Sequence, residues 1–163
     1  MKKEKPRPTL KPVPQEQTEA GQKFFAEMAV DVLARTLWGE ARGEGTAGMQ
    51  AVANVILNRA EISKRLKGYW WGNTLIEVCQ KPRQFSCWNK EDANYTKVLS
   101  VTEKDIYFAT ALRIAKRAVA SVLPDITKGA THYHAASITP YWARGVTPCA
   151  KLGRHLFYQL IEV

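Results

Sequence analysis

The strongest constraint in this chain is a helical stripe that ends in glycines. Phe25, Met28, Ala29, Val32, Leu33, Thr36, Leu37 and Glu40 recur at spacings of three and four, which is one face of a 3.6-residue helix. Gly39, Gly43 and Gly45 weaken and end it. A carboxylate therefore falls on an otherwise apolar face, and the periodicity turns Glu40 inward. A carboxyl held against side chains such as Trp38 resists ionising. That is the state a general acid needs near neutral pH. The same residues fit a plainer arrangement, in which Glu40 pairs with Arg35 or Arg42 at the helix end.

The rest of the chain reads as more helix and a small sheet. A second helix is expected after Thr46 as N-cap, with Met49, Val52, Ala53, Ile56 and Ala60 inward. A short one starts near Asn73. Residues 80–101 read as a long loop with its own aromatics. Thr102 and Asp105 form a capping box for a helix running to Pro124. The segments 131–135, 140–143 and 155–163 are aromatic and β-branched, separated by Gly and Pro, and predict two or three strands. The fold class is α+β, mainly helical. Residues 1–19, with four of the eight prolines and five cations, predict a flexible N-terminal tail, partly polyproline II. Residues 20–163 form the one globular domain, a size that buries roughly 70% of the unfolded surface.

Charge and cysteines bound the function. A net charge of +9 favours a polyanionic partner: nucleic acid, an acidic membrane surface or a cell-wall polymer. The cations are spread along the chain and no nucleic-acid motif is present, which leaves a basic nucleic-acid binder as the rival from another class. No run is long enough to span a membrane. The N-terminus has no apolar segment behind its charges, so no signal peptide is expected. Cys79, Cys87 and Cys149 are too few for a disulfide framework; reduced thiols are the default, with a Cys79–Cys87 pair possible after export. His132, His134 and His155 raise a zinc site, but no HExxH accompanies them. Cys87 with His132 or His134 raises a cysteine-peptidase pair.

Four ordered segments carry a resemblance. ARTLWGEARGEGTAGMQAVANVILNR, NTLIEVCQKPRQFSCWN, GATHYHAASITPYWA and KLGRHLFYQ resemble the signatures of the SleB-type cell-wall hydrolases, spore-cortex lytic enzymes with phage and prophage relatives. The resemblance spans residues 30–160. It implies a lysozyme-like catalytic domain that cuts the MurNAc–GlcNAc strand of peptidoglycan, most often by lytic transglycosylation, with a hydrolytic muramidase or glucosaminidase as the alternative. It places the catalytic acid on Glu40. A single acid/base glutamate serves that chemistry, without the carboxylate pair of ordinary glycoside hydrolysis. Glu44 lies one turn on, with Cβ atoms roughly 5–6 Å apart if the helix persists; a second-acid, a positioning and a structural role all stay open.

Gln84, Phe85, Ser86, Trp88 and Asn89, with Tyr133, His134, Tyr141 and Trp142, mix aromatic faces with hydrogen-bonding groups, as N-acetylated sugars require. They are the candidate substrate-binding residues, and each aromatic could equally pin a loop to the core. Arg154 and His155 read as structural. No metal or organic cofactor is implied. The expected setting is endolysin-like: a monomer held in the host cytoplasm before lysis that reaches the wall through a holin-made lesion.

Overall fold

The computed structural model describes residues 3–11 and 15–161. Residues 3–11 form no regular element and are exposed; residues 1, 2 and 12–14 of the expected tail lie outside the described residues. Five helices follow: α1 (Gln15–Ala41), α2 (Gly45–Arg65), α3 (Leu75–Gln80), α4 (Tyr95–Ser100) and α5 (Ile106–Val119). Three strands close the chain: β1 (His132–Ala135), β2 (Ala150–Leu152) and β3 (His155–Tyr158). They form an antiparallel sheet in the order β1-β3-β2, with Tyr133 opposite Phe157 and Lys151 opposite Leu156.

The core forms where α1, α2 and α5 meet. Leu33, Leu37, Trp38 and Ala41 of α1 pack with Met49, Val52, Ala53 and Ile56 of α2 and with Phe108, Ala111, Ile114 and Ala115 of α5. α2 is buried on a second face too, where Ala51 and Val55 meet Ala130 and Phe157 beneath the sheet. It is thus the wall shared by the helical body and the sheet, and it carries both layers of the domain.

Several local expectations are corrected. The first helix starts at Gln15, inside the segment expected as tail and ahead of the stripe that begins at Phe25, because Gln, Glu and Ala propagate a helix well. Only the C-terminal part of its stripe is buried; Phe25 stays 64% exposed. A 27-residue helix is about 40 Å long, whereas the 14 residues of α5 cover about 21 Å. Thr46 lies inside α2 and caps nothing; the chain leaves α1 through a 3-10 turn at Arg42–Glu44 and enters α2 directly. Thr74 caps α3 by accepting from the Glu77 N–H. Asp105, not Thr102, caps α5, accepting from the Tyr107 and Phe108 N–H groups. The 80–101 stretch holds a 3-10 turn at Ser86–Trp88 as well as α4. Residues 141–143 form a 3-10 turn, and β2 supplies the strand in its place.

Candidate active site

Glu40 stands on the last turn of α1, where the stripe meets the Ser86–Trp88 turn. Gly39 permits that meeting: a Cβ there would lie 2.7 Å from the Cys87 Cβ and 3.0 Å from the Val98 Cγ2. The close approach delivers the Cys87 backbone N–H to the Glu40 Oε1 at 3.2 Å. Trp88 locks the turn by donating from Nε1 to the Thr36 hydroxyl at 2.9 Å.

Neither neighbouring arginine neutralises Glu40. Arg35 pairs with Asp31 and donates to the Val98 and Val101 carbonyls. Arg42 lies over the Trp38 ring at 4.0 Å and donates to the Trp38 carbonyl and to Asn94. Burial pushes the Glu40 carboxyl above the usual carboxylate range; the Cys87 contacts offset this in part, and the charge of Asp92 adds to it. A hydrogen bond to a carboxylate favours ionisation, so desolvation wins here only because no cation helps it. The result is a protonatable group with one ordered partner.

Glu44, four residues on, has the opposite surroundings. Because the helix does not persist between them, Glu44 leaves the 3-10 turn towards the β2–β3 connection. There its Oε1 accepts from Arg154 at 2.8 and 3.1 Å. Gly48 and Gly153 make room: an added Cβ at the first would overlap the Glu44 Cβ, and one at the second would sit 3.2 Å from its Oε2. Desolvation raises its pKa, but the Arg154 hydrogen bonds and charge outweigh that and hold the carboxyl low. Glu44 is a fixed anion.

A cleft of about 570 Å³ is lined by Arg59, Trp70, Lys81, Pro82, Arg83, Gln84, Phe85, His132, Tyr133, Tyr141 and Trp142. Glu40 does not line it, and Phe85, just before the Ser86–Trp88 turn, leads from it towards Glu40. Five candidate residues meet there: Gln84, Phe85, Tyr133, Tyr141 and Trp142. Their roles differ. Phe85 is buried, and Gln84 donates to the Trp71 and Val78 carbonyls. Its Oε1 is buried without a partner. Tyr141 is 82% exposed. Trp88 and Asn89 line an adjoining depression with Lys81, Pro82 and Arg83. Ser86 is exposed and lines neither. His134 is committed elsewhere, its Nε2 to the Tyr158 hydroxyl and its Nδ1 to the Ala135 carbonyl.

Tyr133 connects the cleft to Glu40. Its hydroxyl ionises only well above the usual range, through burial first and the Glu40 charge second, with Arg59 opposing. It is a neutral donor at any working pH. His132 is brought down to about 4, by burial and then by the charge of Arg59, so it too stays neutral. Its ring lies 5.3 Å from that of Trp142.

The rival arrangements lack their geometry. Cys79, Cys87 and Cys149 are all free thiols. Burial pushes the Cys79 thiol up to about 12. Burial and then the Glu40 charge push Cys87 higher still, and a nucleophile needs the reverse shift. Among the described residues no group of three or more His, Cys, Asp or Glu side chains converges as a cation site. The sequence reading missed Arg59, Trp70 and Asp92. Of these, only the paired Trp70-Trp71 offered a visible signal.

No helix among the described residues is long and apolar enough to cross a membrane. The family model described as "Cell Wall Hydrolase" matches residues 43–158, beginning just past Glu40. The spore cortex-lytic enzyme of Bacillus cereus is 29% identical over 136 residues, covering 82% of this chain and 45% of that protein. That of Halalkalibacterium halodurans is equally similar, over 35% of its length. The chain thus spans less than half the length of these curated relatives. Two solved structures share the fold at a TM-score of 0.61. One is the catalytic domain of the Bacillus cereus SleB protein, 26% identical, covering 80% of this chain and 89% of that one. The other is the catalytic domain of the germination-specific lytic transglycosylase SleB from Bacillus anthracis, 28% identical over 80% and 93%.

Proposed function

The chain belongs to the cell wall hydrolase family, and from that membership we propose that it cleaves the MurNAc–GlcNAc strand of peptidoglycan as a lytic transglycosylase, with Glu40 as general acid and base. One observation carries the assignment of the proton donor: Glu40 is desolvated, with a backbone N–H as its partner and no cation against it, and its charge reaches Tyr133 of the aromatic cleft. In the first step the Glu40 carboxyl gives its proton to the bridging oxygen as the C1–O bond breaks. In the second, the Glu40 carboxylate takes the proton of the MurNAc 6-hydroxyl as that oxygen bonds to C1, closing a 1,6-anhydro ring. The acid is regenerated, and no water enters the balance.

The cleft supports the substrate reading. Trp70, Tyr141 and Trp142 offer faces for sugar rings, and His132 and Tyr133, both neutral near pH 7, offer hydrogen bonds. Water-dependent cleavage at the same bond is the second reading, favoured by Asp92, whose charge reaches Glu40. The endolysin-like setting, with holin-dependent access and a monomeric enzyme, is part of the same proposal; its support is the resemblance to the phage relatives and the charge of +9. The test digests purified peptidoglycan with the wild type and Glu40→Gln and identifies the fragments by mass spectrometry. Anhydro-muramic ends are expected. Reducing ends would replace transglycosylation with hydrolysis, and free peptides would overturn glycan cleavage.

A further inference from the structure

Arg59 is a cation that the fold buries and does not neutralise. It lies on the inward side of α2 and is 8% exposed. Burying a guanidinium is unfavourable unless its charge and donors are satisfied, and an apolar residue of similar shape would avoid the penalty. Its Nε donates to the Thr131 carbonyl at 2.7 Å. Its guanidinium carbon lies 5.2 Å from the Trp71 ring centre and 6.0 Å from that of Phe85. These contacts hold the side chain in place but supply no anion, and among the described residues Arg59 enters no ion pair. Its two terminal nitrogens have no hydrogen-bond partner there either, and neither is a fully buried orphan; the side chain lines the cleft.

The charge persists. Burial lowers the Arg59 pKa only to about 10. Lys81 and Arg83 line the same cleft, so its potential favours an anion. Tyr133, which lines the same cleft, lies within the fields of both Glu40 and Arg59.

We propose that Arg59 is the anchor for a carboxylate carried by the bound strand, gripped through the two free guanidinium nitrogens. A planar fork of donors matches a carboxylate and is already oriented by the Thr131 and aromatic contacts. The proposal rests on the glycan-cleaving reading and narrows it to acidic strands. The carboxylate has two sources on MurNAc: the lactyl group where the peptide has been removed, or the peptide stem where it remains. A neutral strand of N-acetylglucosamine alone has neither.

The test measures wild-type kinetics on peptide-free strands, on peptide-bearing strands, and on both after coupling their carboxylates to methylamine. Neutralising the carboxylates is expected to raise KM about 10- to 100-fold, the loss expected when a charged hydrogen-bonded partner is removed, with kcat little changed. The acidic strand with the lower KM identifies the source. Arg59→Lys, which keeps the charge and loses the fork, raises KM on acidic strands and narrows the gap; Arg59→Met closes it. Equal wild-type KM on native and neutralised strands overturns the anchor while leaving glycan cleavage standing. So does an Arg59→Lys enzyme that loses activity equally on both. The wild-type comparison decides the matter even if Arg59→Met does not fold. Failure to cut any strand strikes the underlying reading instead.

Discussion

The last turn of α1 and the 3-10 turn after it each carry a glutamate, four residues apart in one short segment, and the fold gives the two opposite chemistry. Glu40 has lost water and gained only a backbone N–H. Glu44 has an arginine on its carboxylate. One holds a proton more tightly than usual and the other less. The difference comes from what each turn is packed against: the Ser86–Trp88 turn for the first, the β2–β3 connection for the second. Acid strength here is a property of the packing partner, not of the acidic segment.

The sharpest way to break the comparison is to neutralise each carboxylate in turn. Glu40→Gln keeps the acceptor for Cys87 but has no proton to give, and losing the proposed general acid is expected to lower turnover about 10²- to 10⁴-fold. Glu44→Gln is expected to keep activity within a few-fold. Initial rates of turbidity loss on purified sacculi compare the two directly. Equal losses would make Glu44 part of the chemistry and end the distinction. Gly39→Ala attacks the packing partner instead. Its methyl would overlap the Cys87 side chain, and such overpacking destabilises by about 1–3 kcal/mol. Denaturant melts should show that loss, with activity falling further than stability because the Cys87 N–H moves off Glu40.

The legibility of the site follows the same division. Glu40 was readable because its burial is written in local period: Leu33, Leu37 and Glu40 share one face of one helix. Glu44 was less so, since its state depends on Arg154, more than a hundred residues away, and on a helix that stops at Ala41. Arg59 escaped for a related reason. A cation beside an apolar stripe reads as a solvated flank, and only the docking of β1, which brings the Thr131 carbonyl, turns it inward. β2 and α4, of three and six residues, are too short to show a period. The exposed end of α1 failed in the other direction: Phe25 and Met28 keep the stripe but stay exposed, so period alone did not mark where the packing ends.

Stability against pH should separate the two glutamates by sign. The Glu40 pKa is raised in the folded state, so the stability tied to its protonated form is fully present below the unfolded value of 4.5 and lost as pH rises through the folded one. Glu40→Gln is therefore expected to melt higher than the wild type at pH 7–8, by the order of 1 kcal/mol, and to lose that gain in acid. The Glu44 pKa is lowered, so its stability is present above the unfolded value and lost as pH falls through the folded one. Glu44→Gln should melt lower near neutrality and approach the wild type in acid. Melting curves from pH 3 to 8 would show the two differences diverging as pH rises, by about 1 kcal/mol each way at most. Parallel curves would mean the two carboxyls share one environment.

The smallest effect belongs to Arg154 itself. Its side chain is 78% exposed against 14% for Glu44, so water and ions reach one side of the pair. Such pairs contribute about 0–1 kcal/mol. Screening shortens from a Debye length of about 30 Å at 0.01 M salt to about 3 Å at 1 M, so most of that coupling should vanish across the range. A double-mutant cycle with Arg154→Gln and Glu44→Gln, melted at both salt concentrations, isolates it. The Glu40→Gln gain should hardly move under the same change, because desolvation by packed side chains is not an interaction that mobile ions screen. If the cycle keeps its full value in high salt, the Arg154–Glu44 pair is sheltered by more than the two turns described, and the contrast with Glu40 narrows to the sign of the charge alone.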